Sequence, residues 1–371
     1  MIPETMRIRL RDWGEITILA AIYLVAGKIG LSMAYSHPSV TAVWPPTGIA
    51  LAAFLLRGNR IWPGVLLGAF LVNITTAGSI ITTIGITTGN TLEAFAGAYL
   101  VRKYANGVNT FDHPKNFLTF VIVAAIMSTT ISATLGVTSL CLTGIAAWGN
   151  YGTIWLTWWL GDATSDLLVA PLLLLCSVRR PWRWTIPRAL EGMILMLFLI
   201  LVGQGVFSNL LPFGGGHYPL EFASIPIILW AAFRFDQREI SVGMFILSGF
   251  AVLGTLSNHG PFIRDSQQES MMLAQFFSGF MAIMALTTGA VVAERSKLTQ
   301  DLQEMLARVK ALSGLLPICA WCKKIRNDGG YWQEVEAYIH DHSDAAFTHG
   351  VCPDCLEKYK AEFMKNRSAS R

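Results

Sequence analysis

Long apolar runs separated by short polar segments occupy the first 293 residues of this chain. A helix needs about 20 mostly apolar residues to cross the roughly 30 Å hydrocarbon core of a bilayer, and fewer where neighbouring helices support it. Ten runs are candidate spans: 13–33, 42–56, 62–77, 80–101, 117–142, 153–178, 190–207, 219–233, 240–256 and 273–293. They predict an all-α polytopic membrane protein with about ten transmembrane helices, of which the second and the eighth are short.

The distribution of charge divides the chain into two parts. Charged residues make up 14% of the sequence and apolar residues 53%, whereas a soluble domain has roughly 25% and 45–50%. Residues 1–293 hold 29 charged residues and residues 294–371 hold 23. We therefore expect an integral membrane domain over 1–293, a connecting helix over 294–313 and a small cytoplasmic module over 314–371.

Basic residues indicate the orientation, because Lys and Arg accumulate in cytoplasmic loops. With the N-terminus inside, 14 of the 16 basic residues before Glu294 fall in cytoplasmic segments. Arg264 falls outside, and Lys28 lies within a span. The asymmetry predicts a protein of the bacterial inner membrane, in contact with membrane lipid, with both termini in the cytoplasm. A cleaved signal peptide is not expected, because the first apolar run is too long and lacks a small-residue cleavage site.

Apolar residues continue beyond the last predicted span at spacings of 4, 3, 4, 3 and 4 residues. They are Leu298, Leu302, Met305, Val309, Leu312 and Leu316. Such spacing is typical of a coiled-coil seam and predicts a parallel homodimer through a signalling helix. The alternative is an amphipathic helix that packs on its own chain.

Two CxxC pairs follow, Cys319 with Cys322 and Cys352 with Cys355. Four thiolates in this arrangement can close a tetrahedral zinc site of the zinc-ribbon or treble-clef kind. A module this short has a small core, so a structural zinc ion would supply folding free energy. Disulfides are disfavoured in a reducing cytoplasm, but a thiol switch that loses zinc on oxidation remains an alternative. The other two cysteines, Cys141 and Cys176, lie in spans and are expected to be buried packing residues.

The ionisable residues of interest within predicted spans are Lys28, Glu93, Asp162 and Asp166, with Glu221 as a further candidate. Such groups are costly at membrane depth, and they are usually functional or paired. Asp162 and Asp166 are four residues apart and so share one helix face, where they could bind a cation, relay protons or hold Lys28. The alternative is an internal salt bridge that sets the helix register. Uncharged polar residues such as Asn90 are expected to make hydrogen bonds between helices.

The segment Trp44–Pro45–Pro46–Thr47–Gly48 opens the second span. Two prolines remove amide donors and the glycine permits close approach, which favours irregular backbone lining a site. The alternative is an ordinary helix start, where proline is well tolerated. The three tryptophans of the sixth span, Trp155, Trp158 and Trp159, are expected to form an interfacial belt rather than a ligand cage.

Several of these motifs, in this order, resemble a known family. They are VWPPTGIALAAFLLRGNRIWPGVLLGAF at 43–70, WWLGD at 158–162 followed by Pro171, WAAFRF at 230–235, and AER at 293–295. Together they resemble the first class of bacterial membrane-associated sensor domain, abbreviated MASE. The resemblance implies a multi-span input module, normally joined to a histidine kinase, a diguanylate cyclase or a phosphodiesterase. It also implies an unknown small-molecule or membrane stimulus.

The C-terminal region resembles a short cysteine-rich module found at the ends of bacterial two-component proteins. The residues that carry this resemblance are LPICAWCKKIR at 316–326, GYW at 330–332, Tyr338–Ile339 and HGVCPDC at 349–355. Residues 294–371 contain no kinase phosphoacceptor or ATP-binding box and no GGDEF or EAL signature.

These observations predict a membrane sensor or signal-transduction adaptor that lacks a catalytic output domain and is not an enzyme. It would relay a stimulus through the last helix to the four-cysteine module, which would contact a cytoplasmic signalling protein. A small-solute or ion transporter that uses the intramembrane carboxylates is the alternative, although no internal repeat supports it. No nucleic acid partner is expected.

Overall fold

The computed structural model describes residues 4–37, 40–76, 79–177, 185–208, 220–308, 316–327, 329–342 and 346–369. The chain divides into two compact units, Met1–Ser296 and Lys297–Arg371, and we describe each by itself. The finer division at 293 and 313 stays a prediction.

The first unit is almost entirely helical. Its helices are α1 (Glu4–Ser32), α2 (Pro45–Arg57), α3 (Trp62–Ile74), α4 (Ile80–Tyr104), α5 (Pro114–Phe120), α6 (Thr129–Leu142), α7 (Tyr151–Ser177), α8 (Ile186–Phe207), α9 (Ser224–Arg234), α10 (Gln237–Leu256) and α11 (Gln267–Arg308). Short antiparallel strands β1 (Ala34–His37) and β2 (Val40–Thr41) connect α1 to α2. Each of the ten predicted runs overlaps at least one of these helices, although described residues such as 42–44, 75–76 and 220–223 lie outside them; residues 77, 178 and 219 lie outside the described residues.

Six helical segments of the described chain are long and apolar enough to cross a membrane: Asp12–Ser32, Pro114–Leu142, Trp148–Ser177, Ile186–Phe207, Gln237–Leu256 and Gln267–Leu306. The protein is therefore an all-α polytopic membrane protein, while the count of ten spans stays a prediction. Helices α2, α3 and α9 have only 11 to 13 residues. Helix α4 has 25 residues, but its threonines and Glu93 lower its hydropathy.

The fifth predicted span contains a stretch of π-helix, Val121–Ser128, between α5 and α6. In a π-helix the backbone bonds run from residue i to i+5, which is rare and is frequent at functional sites. The π stretch leads into Thr129 and Ser132 at the start of α6, both fully buried.

Large apolar side chains cover the outside of the membrane unit. Helix α8 exposes Ile186, Leu190, Met193, Ile194, Leu197, Phe198, Ile200 and Leu201. Water-soluble monomers rarely expose continuous apolar faces of this extent, so this surface is in contact with lipid.

Ion pairs connect the helix ends that carry the predicted cytoplasmic charges. Arg60 lies 2.7 Å from Asp12, and Arg57 lies 3.3 Å from Glu15. On other helices, Arg234 forms two hydrogen bonds with the carboxylate of Glu191, at 2.7 and 2.9 Å. These contacts are consistent with the prediction that the basic segments lie on one side of the membrane. Which side that is stays a prediction.

Helix α11 begins in the membrane unit and continues to Arg308. The first seam residues, Leu298, Leu302 and Met305, are exposed along it. Val309 and Leu312 lie outside the described residues, so the seam is described only in part.

The second unit contains β3 (Ile325–Arg326), β4 (Trp332–Gln333), α12 (Val335–His342) and α13 (Pro353–Ala369). Strands β3 and β4 pair antiparallel, and Ile318 forms an isolated bridge with Ile325. Among its described residues only Ile325 and Tyr338 are buried apolar side chains.

Candidate functional site

The first turn of α2 lies directly against the middle of α7. The amide of Trp44 donates to the carbonyl oxygen of Gly161 at 3.3 Å, and the amide of Gly48 donates to Ser165 Oγ at 3.0 Å. A Cβ atom on Gly48 would lie 2.6 Å from the carbonyl oxygen of Ser165, so only glycine permits this approach. The helix begins at Pro45 with Pro46 in its first turn. The segment is therefore an ordinary helix start that nevertheless lies at a site.

The contact brings a threonine to the first aspartate of α7. Thr47 Oγ1 donates to Asp162 Oδ1 at 2.8 Å, and both residues are buried. The amino end of a helix carries partial positive charge, so the start of α2 favours a negative group at Asp162. The other oxygen of Asp162 has no hydrogen-bond partner.

Two further carboxyl groups lie close to Asp162. Asp166 is one turn further along α7, and Glu93 of α4 is near enough for its charge to interact with both aspartates. Glu93 is 2% exposed, Asp162 0% and Asp166 1%. Both oxygens of Glu93 and Asp166 Oδ1 lack a hydrogen-bond partner. We call Glu93, Asp162 and Asp166 the carboxylate cluster.

A hydrogen-bonded chain of four side chains lies beside the carboxylate cluster. Asn90 Nδ2 donates to the hydroxyl of Tyr23 at 3.0 Å, Ser132 Oγ donates to Asn90 Oδ1 at 2.8 Å, and Trp158 Nε1 donates to Ser132 Oγ at 3.2 Å. The chain joins α1, α4, α6 and α7. The expected interhelical role of Asn90 agrees with these contacts, whereas Tyr23 and Ser132 were missed because uncharged polar residues carry no distinctive pattern within a span.

A pocket adjoins this hydrogen-bonded chain, at the end of the helices predicted to face away from the cytoplasm. Its cavity volume is about 20 Å³, enough for one water molecule, and it is open to the surroundings. Its lining residues are Leu31, Thr41, Trp44, Asn73, Ile86, Asn90, Trp158 and Gly161. The indole nitrogen of Trp44 has no hydrogen-bond partner. The pocket thus offers aromatic faces and amide groups next to the buried carboxylates.

The structure does not bring Lys28 to the carboxylate cluster. Its ammonium group donates to the carbonyl oxygen of Thr75 at 3.1 Å and to Thr76 Oγ1 at 2.9 Å. It therefore binds the carboxyl end of α3, where a helix favours positive charge. Within the described residues, no Lys, Arg or His forms an ion pair with the three carboxylates.

Because no positively charged side chain of the described residues pairs with the carboxylate cluster, the number of its carboxyl groups that can be ionised together is limited. Several unpaired carboxylates are very costly in a low-dielectric interior. Protons or a bound cation can remove this cost. The cluster can therefore accept a proton or hold a cationic group, and either event would change the forces between α2, α4 and α7.

The tryptophans of α7 divide between two environments. Trp155 stacks on Trp159 with ring centres 5.9 Å apart, and both are half-buried. Trp158 is buried and belongs to the hydrogen-bonded chain. The expectation of an interfacial belt is therefore wrong for Trp158. Gly136 of α6 has no side chain, and this leaves room for the ring of Trp158.

Each CxxC pair of the second unit forms a compact turn. The amide of Lys323 donates to the carbonyl oxygen of Cys319 at 3.0 Å, and Cys352 accepts from the amide of Leu356 at 2.9 Å. Backbone amides at Cys322 and Trp321 lower the pKa of Cys319, and the amide of Cys355 lowers the pKa of Cys352. All four cysteines are free thiols.

The two pairs are not brought together in the structure. No three His, Cys, Asp or Glu side chains of the described residues are placed to share a metal ion. Among the membrane cysteines, Cys141 is buried as expected, while Cys176 is exposed on the surface of α7.

A curated relative corrects the expected function. The chain is 25% identical over 225 residues to a probable diguanylate cyclase, DgcE, of Escherichia coli strain K12. The match covers 60% of this chain and 19% of that protein. The prediction of an adaptor without catalytic output, and of a protein that is not an enzyme, is contradicted by this relative. That prediction rested on the lack of catalytic signatures in residues 294–371. Their absence there does not exclude a catalytic partner or a catalytic domain outside these residues.

Comparison with families establishes the membrane domain. No solved structure matches the chain. The MASE1 family model matches residues 16–296, which include all the motifs of the membrane unit named above. It ends before the cysteine pairs, so the resemblance of the C-terminal module stays a prediction. The family is a membrane-associated sensor domain, and this chain belongs to it.

Proposed function

We propose that the chain is the membrane-sensing part of a diguanylate cyclase signalling system, in which a stimulus at the carboxylate cluster changes cyclase activity. Membership of the MASE1 family supports the sensing role, and the named relative supports the kind of output. The observation that carries the proposal is the group of three buried carboxyl groups without an ion-pair partner beside a pocket. Charged groups at membrane depth are usually functional.

The stimulus would act by changing which arrangement of helices is most stable. A ligand or proton shifts an equilibrium only by its different affinity for the two states. Neutralising Asp162 weakens its hydrogen bond from Thr47, because hydrogen bonds to charged acceptors are stronger than neutral ones. This bond is one of three hydrogen bonds that join the start of α2 to α7, so its strength would contribute to their packing.

Helix α11 is the route by which such a change would leave the membrane. Gln275 Nε2 donates to the carbonyl oxygen of Ala42 at 2.6 Å, and Gln268 Nε2 donates to Thr157 Oγ1 at 3.0 Å. Helix α11 therefore contacts both the segment before α2 and the helix that carries Asp162. It then continues as a single helix to Arg308.

We place the protein in the bacterial inner membrane with both termini in the cytoplasm. The basic residues of the short loops support this orientation, and it would put the pocket on the outer side, where an external stimulus can reach it. A cytoplasmic C-terminal end agrees with an output that uses a cytoplasmic nucleotide.

A chimaera tests the proposed function. Residues 1–308 replace the matched part of the E. coli relative, and the synthesis of cyclic di-GMP is measured in isolated membranes. Asp162→Asn and Glu93→Gln fix a neutral group in the cluster. We expect each to change the rate at least about fivefold, because allosteric couplings are typically 1–3 kcal/mol.

The control for this test is Glu269→Gln, which makes the same chemical change at an exposed residue of α11. It should leave the rate unchanged. Equal rates for the parent chimaera and both cluster variants, at equal protein levels in the membrane, would contradict the proposal.

A further inference from the structure

The turn at Cys319–Cys322 has the shape of a metal-binding knuckle. The amide of Cys319 donates to the carbonyl oxygen of Lys324 at 2.8 Å, while the amide of Lys323 donates back to Cys319. Lys323 has a φ of 64°, in the left-handed region that non-glycine residues rarely adopt. This tight reversal folds the chain back on itself and sets the two thiols next to each other.

The second pair lies at the start of α13. Cys352 immediately precedes the helix, and Cys355 is in its first turn. Amide groups that have no partner within the helix point out of this end, and they stabilise negative charge on thiolates. Both halves of the module therefore suit anionic sulfur ligands.

The order of elements between the pairs matches a known way of building a zinc site. A knuckle is followed by the β3–β4 hairpin, and the later helix α13 supplies two cysteines from its start. Structural zinc sites with four cysteines are tetrahedral, and here each of two short segments offers two of the four thiols.

The core of the second unit is too small to account for a stable fold. Among the side chains of this unit whose burial the structure describes, the buried apolar ones are Ile325 and Tyr338, while Trp321 is 96% exposed and Tyr331 76%. Units of this size usually need a metal, disulfides or a partner. Four thiols in two pairs, of which Cys319 is half-buried and the other three are exposed, are the one set of side chains in the described part of this unit that can supply such a cross-link.

We propose that Cys319, Cys322, Cys352 and Cys355 bind one Zn²⁺ ion, and that the ion draws the two pairs into a single site. Each thiol that binds gives its proton to solvent, so four Zn–S bonds replace four S–H bonds with no change of oxidation state. Binding then supplies the folding free energy that the small core lacks. The proposal is independent of the function of the membrane unit.

Metal analysis of the purified full-length protein tests the zinc site. The chain is purified in detergent with a reductant, and zinc per chain is measured by mass spectrometry. We expect about one zinc ion per chain, and its loss in the pair Cys319→Ser with Cys322→Ser and in the pair Cys352→Ser with Cys355→Ser. Replacement by cobalt should give the visible absorption of a tetrahedral thiolate site.

The matched control is Cys176→Ser, an exposed cysteine of the membrane unit, which should retain the full zinc content. Unchanged gel filtration of each variant shows that its membrane unit is folded. The proposal is overturned if the parent chain binds no zinc after zinc is added, or if the paired serine variants keep it. Quantitative Cys319–Cys322 and Cys352–Cys355 disulfides in freshly trapped cells would also overturn it.

Discussion

Single residues determine how closely α2 approaches α7. Gly48 has no side chain where a Cβ atom would lie within 3 Å of Ser165, Val169 and Ala170, two of these contacts being with backbone atoms. The close approach lets Thr47 reach Asp162. The sequence motif singled out this segment, but only the packing shows that Thr47 reaches Asp162.

We expect Gly48→Ala to lower the stability of the membrane unit. Backbone atoms cannot give way as a flexible side chain can, and overpacking of this kind typically costs about 1–3 kcal/mol. Gly249→Ala is the matched control, because Gly249 also lies within a helix and has no atom within 4 Å of the added carbon. Thermal unfolding in detergent measures both. A melting temperature for Gly48→Ala equal to that of the control would contradict the packing argument.

At the scale of elements, α11 combines a membrane span with an exposed extension. The apolar residues Leu298, Leu302 and Met305 are exposed on the extension, and their spacing is the reason for expecting a parallel homodimer. Periodicity identifies an apolar stripe, whereas the partner that covers the stripe depends on tertiary or quaternary contacts.

Site-directed crosslinking can test the expected dimer. A photo-crosslinkable phenylalanine analogue replaces Leu302 in the seam or Gln300 on the opposite side of the helix. In membranes we expect a covalent dimer from position 302 and little from position 300, because seam residues face the partner helix. Electrophoresis measures the product. Equal yields at both positions would show that the stripe is not a dimer seam.

On the scale of the whole molecule, α2, α4 and α7 surround a buried acidic cluster beside a pocket. The apolar surfaces of the helices establish a membrane protein, and within the described residues six segments are long enough to cross by length and composition alone. The shorter α2, α3 and α9 are supported by neighbours, as α2 is by α7. Orientation and the number of crossings therefore need a direct test.

Reporter fusions test the predicted topology. Periplasmic alkaline phosphatase should be inactive when fused after Arg371 and active when fused after Gly149, in the turn before α7. A green fluorescent protein should show the opposite pattern, since it folds in the cytoplasm. An active phosphatase at the C-terminus would mean an odd number of crossings or a reversed orientation.

The sequence alone determined the membrane character, the position of nearly every helix and the identity of the costly residues within them. These properties depend on local composition and on the length of apolar runs, which a linear pattern contains. The four cysteines were identified from spacing in the same way. The similarity to a probable diguanylate cyclase came instead from comparison with a curated relative.

Only the tertiary structure decided which of the costly residues meet. It placed Glu93 of α4 beside the aspartates of α7, and it sent Lys28 to the end of α3 instead. It also added Tyr23 and Ser132 through hydrogen bonds between helices. Such contacts depend on how each helix is rotated and how deeply it packs against its neighbours. Close packing at positions such as Gly48 and Gly136 sets this rotation and depth. The sequence pattern of a single helix does not contain this information.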